Sequence, residues 1–502
     1  MKPALTLLCA LAVLSCGHSP AAETAKPNIL FLVSDDLNCH IGCYGDPVAK
    51  TPNLDRLASW GVRFDRAYCQ QPLCNPTRAS LLSGLYPTTT GVLDNNTWLV
   101  LDAGRKILPR YFESQGYATV ELGKIWHGPN DTTPKKRERT ARAAAERKGP
   151  VWFTPAERAE QQRTQPDYWY KVHSPYRNNA LKPAESYAWA NLFGPLEDMK
   201  SDDLRHGTYD ADTRIADEAI ASLERLTQDR TKPFFLSVGF IRPHVPLIAP
   251  KKYFDLYQAG ELPLPPDFAN EPTLPPNSPE DEKRQNIDLY AGRSFTAAEA
   301  RAALRAYYAS VSYMDAELGR VLNTLENSGQ RNNTLIVFWG DHGWHLSDKG
   351  MWAKGTLFEA SARGPLLIVD PRKKATAGRV SRRVVEYLDI FPTLVDLSGV
   401  EQPMWLEGTS LKPLLLDPDA AWDRPAYTVQ PRHWFIGRSI RTERWRYTEW
   451  DEGRRGTALY DHDTDPHELR NLAHDPAHVE TVAQLQKQLR ESKVGQSMRH
   501  EP

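Results

Sequence analysis

Four nearly unbroken apolar runs constrain this chain more than any other feature. They are Asn28-Ile29-Leu30-Phe31-Leu32-Val33, Phe234-Phe235-Leu236-Ser237-Val238, Thr334-Leu335-Ile336-Val337-Phe338-Trp339 and Leu366-Leu367-Ile368-Val369. A run of this length without polar alternation suits a strand buried on both faces, the signature of a central parallel sheet. Amphipathic helical patterns separate them, as over 213–226 and 302–325. Alternation of buried strands with helices predicts an α/β fold, a doubly wound, mostly parallel sheet flanked by helices. A chain of 502 residues is long enough for one large unit of this kind and a smaller one. The character changes after Gly399, where short runs such as 437–441 and 445–448 predict a small antiparallel sheet. The expected division is a leader over 1–22, a catalytic domain over 27–400 and a C-terminal subdomain over 401–502.

In doubly wound sheets, ligands bind outside the carboxyl ends of the strands. Two of the runs end there in acid: Asp35-Asp36 after the first, and Gly340-Asp341-His342 after the third. Adjacent carboxylates repel, and desolvating them without a cation is costly. An Asp at such a place also serves as a helix cap, but a second acidic strand end favours a cation site. An oxygen-rich donor set suits a hard divalent ion, Ca²⁺ or Mg²⁺.

A third segment carries the chemistry. Cys74-Asn75-Pro76-Thr77-Arg78 is preceded by Gln70-Gln71-Pro72 and followed by Ser80-Leu81-Leu82-Ser83-Gly84-Leu85-Tyr86-Pro87. A lone cysteine is ordinarily a small buried hydrophobe. With these flanks, Cys-x-Pro-x-Arg resembles the maturation motif of the type I sulfatases of the alkaline phosphatase superfamily. The resemblance extends over about residues 27–475. It takes in Lys124 and His127 in Gly123-Lys124-Ile125-Trp126-His127, His244 in Arg242-Pro243-His244-Val245-Pro246, and Lys354 in Trp352-Ala353-Lys354-Gly355. It ends in a C-terminal run, Leu459-Tyr460-Asp461 to Leu472, similar to the family's small subdomain. His342, where most sulfatases carry Asn, is similar to the iduronate-2-sulfatase branch.

The resemblance implies a sulfuric ester hydrolase in which Cys74 is oxidised to formylglycine by a formylglycine-generating enzyme. Asp35, Asp36, Asp341, His342 and the hydrated residue 74 would hold one Ca²⁺, with Mg²⁺ as the alternative. Arg78 would reach back to hold the hydrate, and Lys124 and Lys354 would bind sulfate. His244 would protonate the leaving oxygen, and His127 would deprotonate the second hydroxyl. The implied substrates are 2-O-sulfated uronic acids of glycosaminoglycan type or sulfated algal polysaccharide fragments. Phosphonate monoester hydrolases and phosphodiesterases share the motif and form the alternative. A non-catalytic saccharide-binding protein, supported by Trp344 and Trp352, is a third reading.

The balance of 62 Lys+Arg against 63 Asp+Glu offers no footprint for nucleic acid. At the amino end, Lys2 and the apolar run 4–14 are too short to span a bilayer and read as a signal-peptide core. The ending Ala12-Val13-Leu14-Ser15-Cys16 resembles a bacterial lipobox, which would anchor Cys16 by lipid; cleavage near Ala21-Ala22 is the competing reading. Both predict export, to the periplasm or to the outer membrane of a bacterium as a lipoprotein. Cys39, Cys43 and Cys69 form an odd set in such a compartment, and sequence selects no disulfide pair. Cys39-x-x-x-Cys43 with His40 lacks the fourth ligand of a structural zinc site. The basic stretch 133–148 reads as an exposed helix, and 259–279 as a long surface loop.

Overall fold

The computed structural model describes residues 26–127 without 98 and 103, and 211–496 without 287, 288, 291, 433 and 434. For 193–195 and 496 it describes the backbone alone. The leader with Cys16 and the basic stretch 133–148 lie outside the described residues.

Seven strands form the central sheet: β1 (Asn28–Ser34), β2 (Val62–Tyr68), β3 (Ala118–Gly123), β4 (Phe234–Phe240), β5 (Thr334–Gly340), β6 (Leu366–Val369) and β7 (Val380–Glu386). Their spatial order is β7-β2-β6-β5-β1-β4-β3. The first, second and third apolar runs are the centre: Leu30 lies opposite Leu236 on β4 and Ile336 on β5, both pairings parallel.

Strand alternation divides β1 between two cores. Leu30 and Leu32 pack with residues of α1 (Pro52–Trp60), α4 (Ala211–Gln228) and α5 (Ala297–Asn327). Ile29, Phe31 and Val33 pack with α2 (Cys74–Ser83), α3 (Leu108–Ser114) and α6 (Ile390–Ser398). Helices thus cover both faces, and the unbroken apolar runs are explained.

Three features differ from the sequence expectation. β6 runs antiparallel to both neighbours, β5 and β2. The chain leaves the carboxyl end of β5 and re-enters the sheet from that same end, with no crossover helix to reverse it. β2 and β7 are strands that the apolar-run criterion passes over, because Arg63, Asp65 and Arg66, or Arg382 and Arg383, interrupt them. The 31-residue α5 begins five positions before the expected 302, where a capping box fixes its start. There Thr296 Oγ1 accepts the Glu299 N–H and the Glu299 carboxylate accepts the Thr296 N–H.

Beyond α6, which closes with Gly399 at φ 65°, an antiparallel meander follows. It comprises β8 (Ala426–Arg432), β9 (Phe435–Arg441), β10 (Trp445–Trp450) and β11 (Thr457–Asp461). Leu485 and Leu489 of α7 (Val479–Glu491) pack on Ile440, Tyr447 and Leu459 of this sheet. Polar contacts tie β8 to the main sheet, as Val429 N–H to Gln70 O at 2.8 Å and Thr428 Oγ1 to Cys69 O at 2.8 Å. The stretch 259–279 carries a single 3-10 turn, Ala259–Glu261. It packs beside the site-facing loop after β5, for Thr273 N–H donates to Lys349 O and the Lys349 ammonium to Asp267.

Candidate active site

Because β1 and β5 pair in register through Ser34 and Gly340, their acidic ends emerge side by side. The Asp36 N–H donates to Asp341 Oδ1 at 3.0 Å, and the Asp341 N–H to Ser34 O at 3.2 Å. Side chains along an extended strand alternate in direction. Asp36 interrupts that alternation with a left-handed backbone, φ 61°. The conformation costs a non-glycine residue about 1–2 kcal/mol, and Asp is among the residues that tolerate it. As a result Asp35 and Asp36 turn toward one point. One ligand atom each from Asp35, Asp36, Cys74 and His342 lies within 4.8 Å of the others, all four residues buried.

His342 is held in the tautomer such a site needs. Its Nδ1 lies 2.8 Å from Gly343 O and donates to it, which leaves the Nε2 lone pair facing inward. Nε2 is 3.6 Å from Cys74 Sγ, 3.4 Å from Asp36 Oδ1 and 3.6 Å from Asp341 Oδ1. Asp341 stands at the edge of the quartet, its two oxygens occupied by the Asp36 N–H and by Arg78.

Cys74 is the first residue of α2, so the helix begins two positions earlier than a start at Pro76 would place it. Its side chain is buried at the positive end of a ten-residue helix, where negative charge is favoured. The neighbouring Asn75 N–H is capped from another loop by Asn95 Oδ1 at 3.1 Å. Arg78, also fully buried, departs from the expectation that it reaches residue 74. It donates from Nε and Nη2 to Asp341 Oδ2 (3.1 and 3.0 Å), from Nη2 to Asp35 Oδ1 (3.2 Å), and from Nη1 to the carbonyls of Lys124 and Ile125. Its α2 position directs the guanidinium at the two carboxylates, where charge attraction is strongest.

Lys124 enters at the end of β3, and two glycines make room for it. A Cβ on Gly123 (φ 66°) would lie 2.2 Å from Gly239 O, and one on Gly239 would lie 2.3 Å from the Lys124 carbonyl. With β3 and β4 this close, the Lys124 ammonium bonds Asp35 Oδ2. Lys354 bonds Asp36 Oδ1 and sits 4.9 Å above the Trp344 ring. His244 donates from Nδ1 to Val245 O (2.7 Å) and turns Nε2 toward Asp35 Oδ2 (4.0 Å) and Asp36 Oδ2 (3.8 Å). His127 is buried three residues past Lys124. Asp35, Asp36, Cys74, Arg78, Lys124, His244, Asp341, His342 and Lys354 thus meet at one end of the sheet.

The electrostatics bear on which ion the pocket suits. Against burial, Lys124, His244 and Arg78 hold the Asp35 carboxyl well below its ordinary range. Burial, with Asp35 and Asp341 adding to it, drives Asp36 well above its range despite Lys354. Asp341 is raised to about 7 by burial and by Asp35. Burial and the two lysines keep His244 neutral, and burial with Lys354 does the same for His342. Asp36 Oδ2 is buried without a hydrogen-bond partner. Two carboxyls pushed toward protonation, an orphaned oxygen and an inward imidazole lone pair fit a divalent cation.

Among the described residues a second acidic grouping, Glu359, His462 and Glu468, has metal-like spacing. Arg446 occupies it instead, with Nη2 on Glu359 (2.5 Å) and Nε on Glu468 (2.7 Å), so it is an ion-pair network. All four described cysteines are free thiols. His40 pairs with Asp46 at 2.8 Å and does not join Cys39 and Cys43 in a metal grouping.

Sequence reasoning missed Tyr307, Asn38, Asp212 and Arg242. Asp212 accepts the Ile241 and Arg242 N–H groups, and Arg242 Nη1 donates to His244 O, which together fix the His244 loop. Nothing in local sequence marks Tyr307 and Asp212, which act from other elements; Arg242 and Asn38 lie two residues from His244 and Asp36, but their partners are set by the folded loops.

A family model described as Sulfatase matches residues 27–400, and one described as N-sulphoglucosamine sulphohydrolase, C-terminal, matches 340–495. A sulfatase of Formosa agariphila is 31% identical over 502 residues, covering 95% of this chain and 89% of its own. Iduronate 2-sulfatase of Mus musculus is 30% identical over 519 residues, covering 88% and 87%. The crystal structure of a phosphonate monoester hydrolase of Agrobacterium radiobacter superposes with a TM-score of 0.67 at 24% identity, covering 92% of this chain and 95% of that one. At that identity the likeness is one of fold.

Proposed function

The chain belongs to the sulfatase family and is a sulfuric ester hydrolase, and on that premise we propose that it removes sulfate from a sulfated saccharide. The reading includes residue 74 matured to formylglycine, and a hard divalent cation held by Asp35, Asp36, Asp341 and His342. The observation that carries it is the convergence of Asp35, Asp36, Cys74 and His342 within 4.8 Å, flanked by Lys124, Lys354 and His244.

A sulfate ester resists attack because its oxygens are anionic and its alkoxide leaves poorly. When bound, the cation draws charge from the sulfate oxygens. A formylglycine hydrate supplies two hydroxyls on one carbon, one to attack sulfur and one whose deprotonation expels sulfate and restores the aldehyde. A thiol or a serine hydroxyl has no second oxygen for that last step. The remaining work falls to the side chains. The ammonium groups of Lys124 and Lys354 sit at the pocket edge, where they bind the sulfate oxygens and stabilise charge in the transition state. Arg78 compensates Asp35 and Asp341 and thereby holds the cation's ligands in place. His244, anchored through Nδ1, turns the Nε2 lone pair of a neutral ring to the pocket; an anionic sulfate bound beside it favours protonation of Nε2, and that N–H then gives its proton to the departing sugar oxygen. His127 is assigned the base for the second hydroxyl.

For the substrate, the similarity to an iduronate 2-sulfatase supports 2-sulfated uronic acids, with algal oligosaccharides as the competing class. No observation favours the phosphoryl alternative, whose structural neighbour shares the fold alone. Export is part of the proposal and rests on the leader sequence. No helix among the described residues is long and apolar enough to cross a membrane.

The test is sulfate release by protein co-expressed with a formylglycine-generating enzyme, across 2-sulfated uronate disaccharides and algal oligosaccharides, with phosphate followed in parallel. Sulfate is expected from one of the two saccharide sets. No sulfate from either, with the aldehyde verified at residue 74 by peptide mass, would overturn the proposal.

A further inference from the structure

The left-handed turn at Asp36 has a support outside the β1 strand end. Tyr307 lies on α5, about 270 residues along the chain, and is fully buried. Its hydroxyl donates to Asp36 O at 2.9 Å and accepts the Asn38 N–H at 3.0 Å. One oxygen therefore satisfies a peptide group on each side of the turn, in a place where water does not reach. Asn38 in turn donates through Nδ2 to Trp344 O at 2.9 Å, and Trp344 lies beneath the Lys354 ammonium. Lys354 returns to the Asp36 carboxylate. The loop of contacts closes on the residue that turns.

We infer that Tyr307 is a positioning residue that holds Asp36 in its left-handed conformation and so sets the affinity of the Asp35–Asp36–His342 pocket for its divalent cation. The inference rests on the cation reading of the site. Without the hydroxyl, the Asp36 carbonyl and the Asn38 N–H are buried with no partner, and a strained turn with orphaned peptide groups relaxes. Relaxation toward extended geometry swings the Asp36 carboxylate away from the other ligands. Tyr307 touches no reacting atom; it acts through Asp36.

The experiment titrates Ca²⁺ and Mg²⁺ calorimetrically into the chelator-stripped, full-length enzyme and into Tyr307→Phe. Tyr308→Phe is the control, since it removes the neighbouring buried hydroxyl that donates to Asp46 at 2.9 Å, away from the pocket. Tyr307→Phe is expected to bind the cation at least ~10-fold more weakly, with the cation-induced rise in Tm diminished and activity partly rescued by excess cation. Tyr308→Phe should bind as the wild type does. Equal affinity in wild type and Tyr307→Phe overturns the inference, as does an equal loss in both variants. A wild-type enzyme that binds no divalent cation overturns instead the cation reading beneath it. If Tyr307→Phe does not fold, hydrogen exchange on the cation-free wild type decides. A protected Asn38 amide is expected, and exchange as fast as in a solvent-exposed loop overturns the inference.

Discussion

Arg446 is the residue whose removal should most clearly separate charge compensation from packing. It is 1% exposed and joins β10 to the short helix Glu359–Ala362 that follows Lys354. Its Nε meets Glu468 Oε1 at 2.7 Å, its Nη2 meets Glu359 Oε2 at 2.5 Å, and its Nη1 meets Ser439 Oγ at 3.2 Å. Arg446→Met leaves Glu468 with His462 at 3.1 Å, and Glu359 with Arg441 at 3.4 Å, Arg363 at 3.9 Å and the Tyr68 hydroxyl at 2.9 Å. Removing one partner of a buried pair costs about 3–5 kcal/mol. Linkage gives a second figure. Against burial, Arg446 and His462 hold the Glu468 carboxyl at about 2, down from 4.5. At 1.36 kcal/mol per unit, that depression corresponds to roughly 3 kcal/mol. A depressed acid stabilises the fold above its unfolded pKa, so wild type loses this contribution as pH falls from about 4.5 to 2. Arg446→Met should show a shallower acid limb over the same window. The assay is urea unfolding followed by tryptophan fluorescence at pH 7 and in steps down to pH 3. Arg446→Met is expected to lose about 3–5 kcal/mol. The double variant with Glu468→Gln should recover more than half of it, since the remaining carboxylate, Glu359, keeps Arg441 and Arg363 as partners. A single variant within about 1 kcal/mol of wild type, or a double variant no better than the single, would refute the reasoning.

Other expectations concern the catalytic end. Cys74→Ser should give at most one equivalent of desulfated sugar per chain, and sustained turnover would contradict the need for a second hydroxyl. Lys354→Ala should lower kcat/KM by about 10²–10³ with an unchanged circular dichroism spectrum; steady-state kinetics on a saccharide sulfate measures it. Chelation should abolish sulfate release and lower Tm, with calcium and magnesium add-back identifying the ion that restores both. Full turnover after chelation would contradict the cation.

The sheet was legible where burial on two faces left an unbroken apolar record, as in β1, β4 and β5. It was illegible in β2 and β7, where charged residues alternate with core residues, and in the direction of β6, which depends on where the preceding loop ends. The site divides in the same way. Asp35, Asp36 and Asp341 announce themselves because acids at strand ends have few other reasons to be there. Arg78 was legible as a residue but not in its partners, because a guanidinium on the second turn of a helix can turn to either side and only the tertiary placement of Asp341 decides. Tyr307 and Asp212 left no trace at all. Each acts on a backbone group far away in sequence, and a Tyr or Asp on a helix carries no local mark of what it will meet.

The placement of β1 at the centre of the sheet has a consequence for synthesis. β1 is the first strand of the described chain to emerge, yet its two neighbours, β4 and β5, follow about 200 and 300 residues later. At typical elongation rates of ~5–20 residues per second, the second edge of β1 stays open for about 15–60 s. Until β4 is made, Ile29-Leu30-Phe31-Leu32-Val33 has no ladder partner, and until β5 follows it keeps one open edge, the kind of segment that pairs with other nascent chains. Yield in a foreign host should therefore be governed by translation speed and chaperone supply between residues 34 and 334, more than by the stability of the finished fold.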